Sequence, residues 1–128
     1  MSRFILFSVA VALLSLPIAA TADDKQSMVY GLGMSSCGSL VQAFRQDSPN
    51  AVLNYQGRQF PTIAHTYQQW LGGFVSSYNL YTSQTGKLGH GTDIHGLMEW
   101  VHAYCKKNTT STVTQAAVEM VHSLERKQ

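Results

Sequence analysis

The sequence predicts a small all-α protein, a single four-helix domain with one disulfide that joins helix 1 to helix 3. Three observations predict this fold. Apolar residues recur at three- and four-residue intervals through four segments of the chain, which is the spacing of amphipathic helices. The length of 128 residues leaves room for one modest core. The only two cysteines, Cys37 and Cys105, fall in the first and third of these segments.

The N-terminus predicts export. Arg3 precedes an apolar stretch over residues 4–16, which is too short to span a bilayer and is typical of a signal peptide. Small residues follow and offer a cleavage site after residue 22. We therefore expect residues 1–22 to be a cleaved signal peptide and residues 23–128 to form the single helical domain. The mature protein is expected in the periplasm, with no stable membrane insertion after cleavage.

The two cysteines are expected to bond with each other. Cys37 and Cys105 lie far apart and form no CxxC redox motif, and an oxidising compartment favours their pairing. Closure of so long a loop stabilises a small domain by about 4 kcal/mol when the entropy of the unfolded chain is considered. Two buried free thiols are the alternative.

The first helix is predicted to start after Ser35 or Ser36, either of which can cap it, and to end by Pro49. Residues 49–62 predict a surface loop with at most a short strand or turn, because Pro, Asn and Gly interrupt them. No convincing strand pair is visible in the sequence. The apolar side chains expected to anchor this loop to the core are Val52, Leu53, Tyr55 and Phe60.

The second helix is predicted from about Thr62 to Gln84. Gly72 and Gly73 inside it cost about 1 kcal/mol each relative to alanine, so a neighbouring group should use the space they leave. The simplest explanation is that another helix packs closely on Gly73 and Ser77. The expected inward face holds Ile63, Tyr67, Leu71, Phe74, Tyr78 and Tyr81.

The last two helices follow a glycine-rich connection at residues 85–92. The third helix is expected over about 93–107, with Cys105 on its inward face. Thr112 and Gln115 fit a capping box at the start of the fourth helix. Two tryptophans lie slightly off the apolar faces, where they either seal the edge of the core or form an exposed patch for a partner. We favour the core edge and expect the helix-packing residues to include Trp70, Gly73, Phe74 and Trp100.

Histidines offer the main candidate for metal chemistry. His95, Glu99 and His102 would share one face of the third helix and could present three ligands to zinc. This face lies opposite the apolar one, however, and a solvated outer surface accounts for it. A pH-sensing role for these imidazoles stays open. We predict no metal site and no cofactor.

Neither catalysis nor nucleic-acid binding is indicated. The sequence has no GxSxG element and no glycine-rich phosphate loop, and its few carboxylates form no evident pair. The formal net charge is +2 with neutral histidines, and the basic residues are scattered, which argues against nucleic acid as a partner. The chain is therefore expected to bind another protein rather than to be an enzyme, and a homodimer stays open.

A pattern of residues across 35–125 resembles a known family. The pattern resembles the periplasmic immunity proteins of type VI secretion amidase effectors, of the Tai and Rap kind, which are similar in architecture to the Hde acid-stress chaperones. The resemblance implies a four-helix, disulfide-bonded domain that binds another protein and has no catalysis of its own. The residues that carry it are Ser36, Cys37 and Gly38, then Trp70, Gly73, Phe74, Ser77 and Asn79, then Thr92, Asp93, Trp100, Tyr104, Cys105 and Asn108.

The leading hypothesis is an immunity protein that covers the active-site cleft of a cell-wall amidase. The alternatives are an acid-stress chaperone of the Hde type and an accessory subunit of an envelope or secretion assembly. Because mobile loops on a rigid frame often carry recognition, the partner-binding surface is expected in residues 49–62 and 86–92. The candidate partner-binding residues are Tyr55, Arg58, Gly86, Lys87, Leu88 and His90.

Overall fold

Four α-helices and one short β-hairpin build the part of the chain that the structure describes. The computed structural model describes residues 29–127, so the predicted signal peptide of residues 1–22 and its cleavage site lie outside the described residues. The elements in chain order are a 3₁₀ helix (Gly31–Met34), α1 (Cys37–Gln46), β1 (Val52–Tyr55), β2 (Arg58–Pro61), α2 (Ile63–Tyr81), α3 (Ile94–Lys107) and α4 (Val113–Glu125).

The hairpin corrects the prediction of an all-α fold. Strands β1 and β2 pair antiparallel, where the sequence showed no convincing strand pair. Gln56 and Gly57 make the two-residue turn with φ values of 49° and 73°, and positive φ at both positions suits the twist of paired strands. The sequence signal is weak because Gln-Gly replaces the usual Asn-Gly and because Pro61 cannot donate to the ladder. The fold is mostly helical with a small two-stranded sheet.

Each α-helix begins at a side chain that accepts a hydrogen bond from its own first turn. Thr112 accepts from the Gln115 N–H at 3.1 Å, and the Gln115 side chain accepts from the Thr112 N–H at 2.8 Å, which completes the predicted capping box. The hydrogen bond from the Gly96 N–H is the main reason why the pKa of the Asp93 carboxyl lies below its ordinary value. The remaining caps are Ser36 and Thr62.

The first-turn N–H groups of α1 find their hydrogen-bond acceptors in the polar segment between α3 and α4. The Cys37 N–H donates to the Ser111 carbonyl at 2.7 Å. The Gly38 N–H donates to the Thr109 carbonyl at 2.9 Å. A helix leaves such first-turn donors without partners inside itself. The segment that connects α3 to α4 therefore also supports α1.

The predicted disulfide joins α1 to α3 through Cys37 and Cys105. Both cysteines are fully buried, so the bond lies inside the core rather than on its surface. The four helices supply the surrounding apolar side chains, since each of them buries one face. The largest fully buried hydrophobic side chains are Leu40, Leu71, Met98, Val101, Val113 and Met120.

The buried face of α2 differs from the predicted one at both ends. Ile63 and Tyr81 are 58% and 84% exposed, although their spacing places them with the inward residues. In the first turn the fully buried Ala64 faces the core in place of Ile63. At the other end Leu80 is also exposed, so the last turn of the helix meets solvent. The buried residues of α2 are Ala64, Tyr67, Gln68, Leu71 and Val75.

The tryptophans and the helical glycine occupy different environments. Trp70, Phe74 and Trp100 are partly buried and pack against the core. Trp70 stacks on Phe74 with ring centroids 5.6 Å apart, and Trp100 stacks on Tyr104 at 5.8 Å.

No atom of residues 29–127 outside the helix's own backbone lies within 4 Å of the position that a Cβ on Gly73 would take. The helix predicted to pack closely on Gly73 is therefore not among the described elements.

A different glycine, Gly33 of the 3₁₀ helix, is the site of close packing. Gly33 is buried, and a Cβ built on it would lie 2.7 Å from Cε2 of Trp70 and 2.6 Å from Oγ1 of Thr114. The Thr114 hydroxyl also donates to the Gly33 carbonyl at 2.9 Å. This contact holds the N-terminal segment against α2 and α4.

None of the helices over residues 29–127 is both long and apolar enough to cross a membrane.

Candidate functional site

The hairpin exposes four large apolar side chains within ten residues of the chain. Tyr55, Val52, Leu53 and Phe60 are 65%, 52%, 49% and 45% exposed. The expectation that these residues anchor residues 49–62 to the core is therefore wrong. Contiguous exposed apolar groups on a soluble protein mark binding surfaces more often than isolated ones do. The hairpin is the strongest candidate for a protein-binding surface in the described chain.

The base of the hairpin is fixed to α2 by hydrogen bonds. The Thr62 hydroxyl donates to the Ser48 carbonyl at 3.1 Å, and Thr62 is fully buried. The Nδ1 of His65 lies 3.0 Å from the Pro49 carbonyl oxygen. Because a carbonyl only accepts, His65 carries its proton on Nδ1 in this contact. The strands thus project from an anchored base, although both of their faces meet solvent.

The strand register separates the two faces of the hairpin. Leu53 pairs with Phe60, and Tyr55 pairs with Arg58, so these four side chains share one face because alternate residues point to opposite sides. This face combines three apolar side chains with one positive charge. Val52, Asn54, Gln59 and Pro61 lie on the other face, which is more polar. Of the predicted partner-binding residues, Tyr55 and Arg58 thus come together on one exposed apolar face.

Residues 86–92, the second segment predicted to bind a partner, are attached to the core through Leu88. Leu88, predicted as a partner-binding residue, is only 5% exposed and belongs to the core, so it offers almost no surface to a partner. The side chain of Asn79 holds Leu88 through both backbone groups, because its Oδ1 accepts from the Leu88 N–H at 2.9 Å and its Nδ2 donates to the Leu88 carbonyl at 3.2 Å. The connection is therefore tied to the core at Leu88.

The other predicted residues of this connection lie on its surface. Gly86, Lys87 and His90 are exposed. Gly86 has a φ of 63°, which glycine adopts without strain. A cavity of about 550 Å³ lies between the hairpin and the N-terminal parts of α2 and α3. None of residues 86–92 lines it, so the two predicted loops do not meet there. Asn79 explains how the connection is fixed, and the sequence offered only its place in the family pattern as a signal.

The histidine face of α3 is not a solvated surface throughout. His102 is partly buried, and its ring lies 4.7 Å from the ring of Phe44 on α1, centroid to centroid. Burial lowers the pKa of His102, and the positive charge of Lys106 lowers it further, whereas Glu99 acts in the opposite direction. The sequence could not place Phe44 against this face, because the approach of α1 to α3 is a property of the tertiary fold.

We expect His102 to make the stability of the protein depend on pH. Its lowered pKa means that the folded state favours the neutral ring, so the contribution of His102 is present above the unfolded value of 6.5 and is lost as the pH falls through that value and then the folded one. Urea denaturation at pH 7.5 and 5.5 should show a smaller loss of stability for His102→Gln than for the wild type. The difference should correspond to less than about one proton taken up on unfolding.

His122→Gln, which changes an exposed histidine on α4, is the matched control and should keep the wild-type dependence on pH. An equal pH dependence in the wild type and His102→Gln would contradict the assignment.

Among the described residues, no group of three or more His, Cys, Asp or Glu side chains is arranged to hold a metal ion.

Comparison of the chain with protein-family models, with curated proteins and with solved structures finds no match.

Proposed function

We propose that this protein is a periplasmic protein-binding module of the immunity type, which inhibits a cell-wall amidase by covering its active-site cleft. The observation that carries the proposal is the anchored hairpin with Leu53, Tyr55 and Phe60 exposed on one face. Large aromatic and aliphatic side chains that become buried on contact supply most of the energy of protein interfaces. Arg58 on the same face adds a donor of several hydrogen bonds.

The disulfide-bonded helical frame supports this proposal energetically. A binding segment that is already ordered loses less conformational entropy when the complex forms. The hydrogen bonds from Thr62 to Ser48 and from His65 to Pro49 fix the base of the hairpin before any partner arrives.

The experiment is a calorimetric titration of an amidase whose gene neighbours the gene of this protein. We expect the wild type to bind with one-to-one stoichiometry and to inhibit peptidoglycan cleavage. Tyr55→Ala with Phe60→Ala should weaken binding by at least about tenfold, as expected for the loss of two central apolar contacts. Tyr81→Ala is the matched control, because Tyr81 is also an exposed tyrosine but lies at the end of α2.

Two results would count against the proposal. Wild-type affinity in the hairpin variant would exclude the hairpin as the binding surface. Absence of binding and inhibition by the wild type would exclude the immunity function against that amidase. If the protein then suppressed aggregation of a denatured client in acid, the Hde-type alternative would be favoured instead.

A further inference from the structure

The two edges of the hairpin differ in the backbone groups that they present. The residues on either side of a two-residue turn form a hydrogen-bonded pair, and here these are Tyr55 and Arg58. Bonded and non-bonded pairs alternate along an antiparallel ladder, so Leu53 and Phe60 form the next bonded pair. The remaining residues direct their backbone groups away from the partner strand. They are Val52 and Asn54 on β1, and Gln59 and Pro61 on β2.

The outer edge of β1 is open. Val52 and Asn54 are both exposed, and no hydrogen bond joins their backbone groups to another element among residues 29–127. Their two N–H and two C=O groups therefore point to solvent. These groups recur at every second residue, which is the spacing at which a neighbouring strand presents its own acceptors and donors. The edge thus complements an extended polypeptide backbone.

The outer edge of β2 is protected against such pairing. Pro61 has no N–H to offer at its outward position, and Arg58 places a charge on the same strand. Proline and charged side chains are two of the means by which proteins protect a sheet edge. Strand β1 has neither in its sequence Val-Leu-Asn-Tyr, and no bulge interrupts its register. Only one edge of the hairpin is therefore available to another strand.

The apolar face of the hairpin extends to this open edge. Leu53 and Tyr55 of β1 lie on that face and are 49% and 65% exposed. A strand added to β1 would lie about 4.8 Å from it and would place every second side chain beside these two residues. Pairs of apolar side chains on neighbouring strands stabilise a sheet. An added strand with apolar residues at alternate positions would therefore cover part of the exposed surface.

We propose that the hairpin binds its partner by strand addition, in which an extended, proline-free segment of the partner pairs with the outer edge of β1. Backbone hydrogen bonds to Val52 and Asn54 hold the segment, and its alternate apolar side chains contact Leu53 and Tyr55. This inference rests on the proposal that the hairpin is a protein-binding surface, and it names the chemistry that this surface recognises. It does not require the partner to be an amidase.

The test therefore uses a synthetic probe, the peptide acetyl-Lys-Thr-Val-Thr-Val-Thr-Val-Lys-amide, on the ¹⁵N-labelled, disulfide-bonded protein. Near saturation the peptide should slow hydrogen exchange of the Val52 and Asn54 amides by at least about tenfold, because both become hydrogen-bonded. The Gln59 amide should exchange as fast as before, since it points outward from the other edge. The same peptide with proline in place of its central residues should protect none of these amides.

Asn54→Pro should weaken the peptide by at least about tenfold, because it removes an outward N–H and places a ring at the open edge. Gln59→Pro is the matched control and should leave peptide binding unchanged. Gln59 is the cross-strand partner of Asn54, and its N–H also points outward, but from β2. Neither substitution removes a hydrogen bond between the two strands.

Several results would overturn strand addition at β1. They are an absence of protection at Val52 and Asn54, protection at Gln59 instead, or equal peptide affinity in the two proline variants. Protection that appears without peptide as the protein concentration rises would assign the edge to a second copy of this chain. The exchange pattern of the wild type decides the question even if Asn54→Pro fails to fold. Protection by the peptide without binding of an amidase would refute only the immunity function.

Discussion

Cys105→Ser should lower the free energy of unfolding by roughly 2–5 kcal/mol, the usual effect of removing a native disulfide from a small domain. The two cysteines are 68 residues apart in the sequence, and loop closure of that length gives about 4 kcal/mol. Loss of the bond also leaves a serine hydroxyl and a thiol at fully buried positions. Since small domains are stable by about 5–15 kcal/mol in total, the variant should keep only part of its stability.

Urea denaturation of the wild type with and without reductant checks the size of this effect. The reduced wild type should unfold at a lower urea concentration and should approach the stability of Cys105→Ser. The double variant Cys37→Ser with Cys105→Ser is the control, because it lacks the bond without leaving a free thiol. A wild type that binds two equivalents of a thiol reagent after denaturation without reductant would show that the bond is absent.

Gly33→Ala should destabilise the protein by roughly 1–3 kcal/mol, the usual cost of adding volume to a packed site. The added Cβ would lie 2.6 Å from Oγ1 of Thr114 and 2.7 Å from Cε2 of Trp70. The tryptophan ring is large and already packed against the core, so it cannot move aside cheaply. We expect the 3₁₀ helix to shift away from α2 and α4, and the fluorescence of Trp70 to change with it.

Gly73→Ala is the matched control for this variant. The space around Gly73 is open in the described structure, and alanine favours a helix over glycine by about 1 kcal/mol. Gly73→Ala should therefore be neutral or stabilising by up to about that amount. Urea denaturation monitored by tryptophan fluorescence compares the two variants, and equal stability of both would refute the close packing at Gly33.

Local signals in the sequence predicted the helices and their caps well. The capping box of Thr112 and Gln115 depends only on residues three positions apart, so its chemistry is readable from the chain. The disulfide was predictable because only two cysteines exist. Helix α2 was placed correctly but ends at Tyr81, three residues before the predicted end, and its last apolar side chains, Leu80 and Tyr81, are exposed.

Features that depend on distant contacts were missed. The burial of Leu88 depends on the amide of Asn79, and the environment of His102 depends on Phe44. Gln68 looked like an ordinary polar residue of a helix, yet the tertiary fold buries it beside His95. The hairpin that exposes apolar side chains lies within residues 49–62, the segment where the sequence predicted a partner-binding loop, but its hairpin form was not predicted. The exposure of its apolar residues therefore became visible only in the structure.

The bonding of α1 to residues 109 and 111 sets the order in which the domain can become complete during synthesis. The ribosome synthesises α1 early. The carbonyls that accept hydrogen bonds from the N–H groups of Cys37 and Gly38 belong to residues that are synthesised much later. The bonding partner Cys105 is also among the late residues. Until then α1 has neither its first-turn acceptors nor its covalent link. The nascent chain must therefore keep the apolar face of α1 from aggregating until residues 105–111 have also been translated.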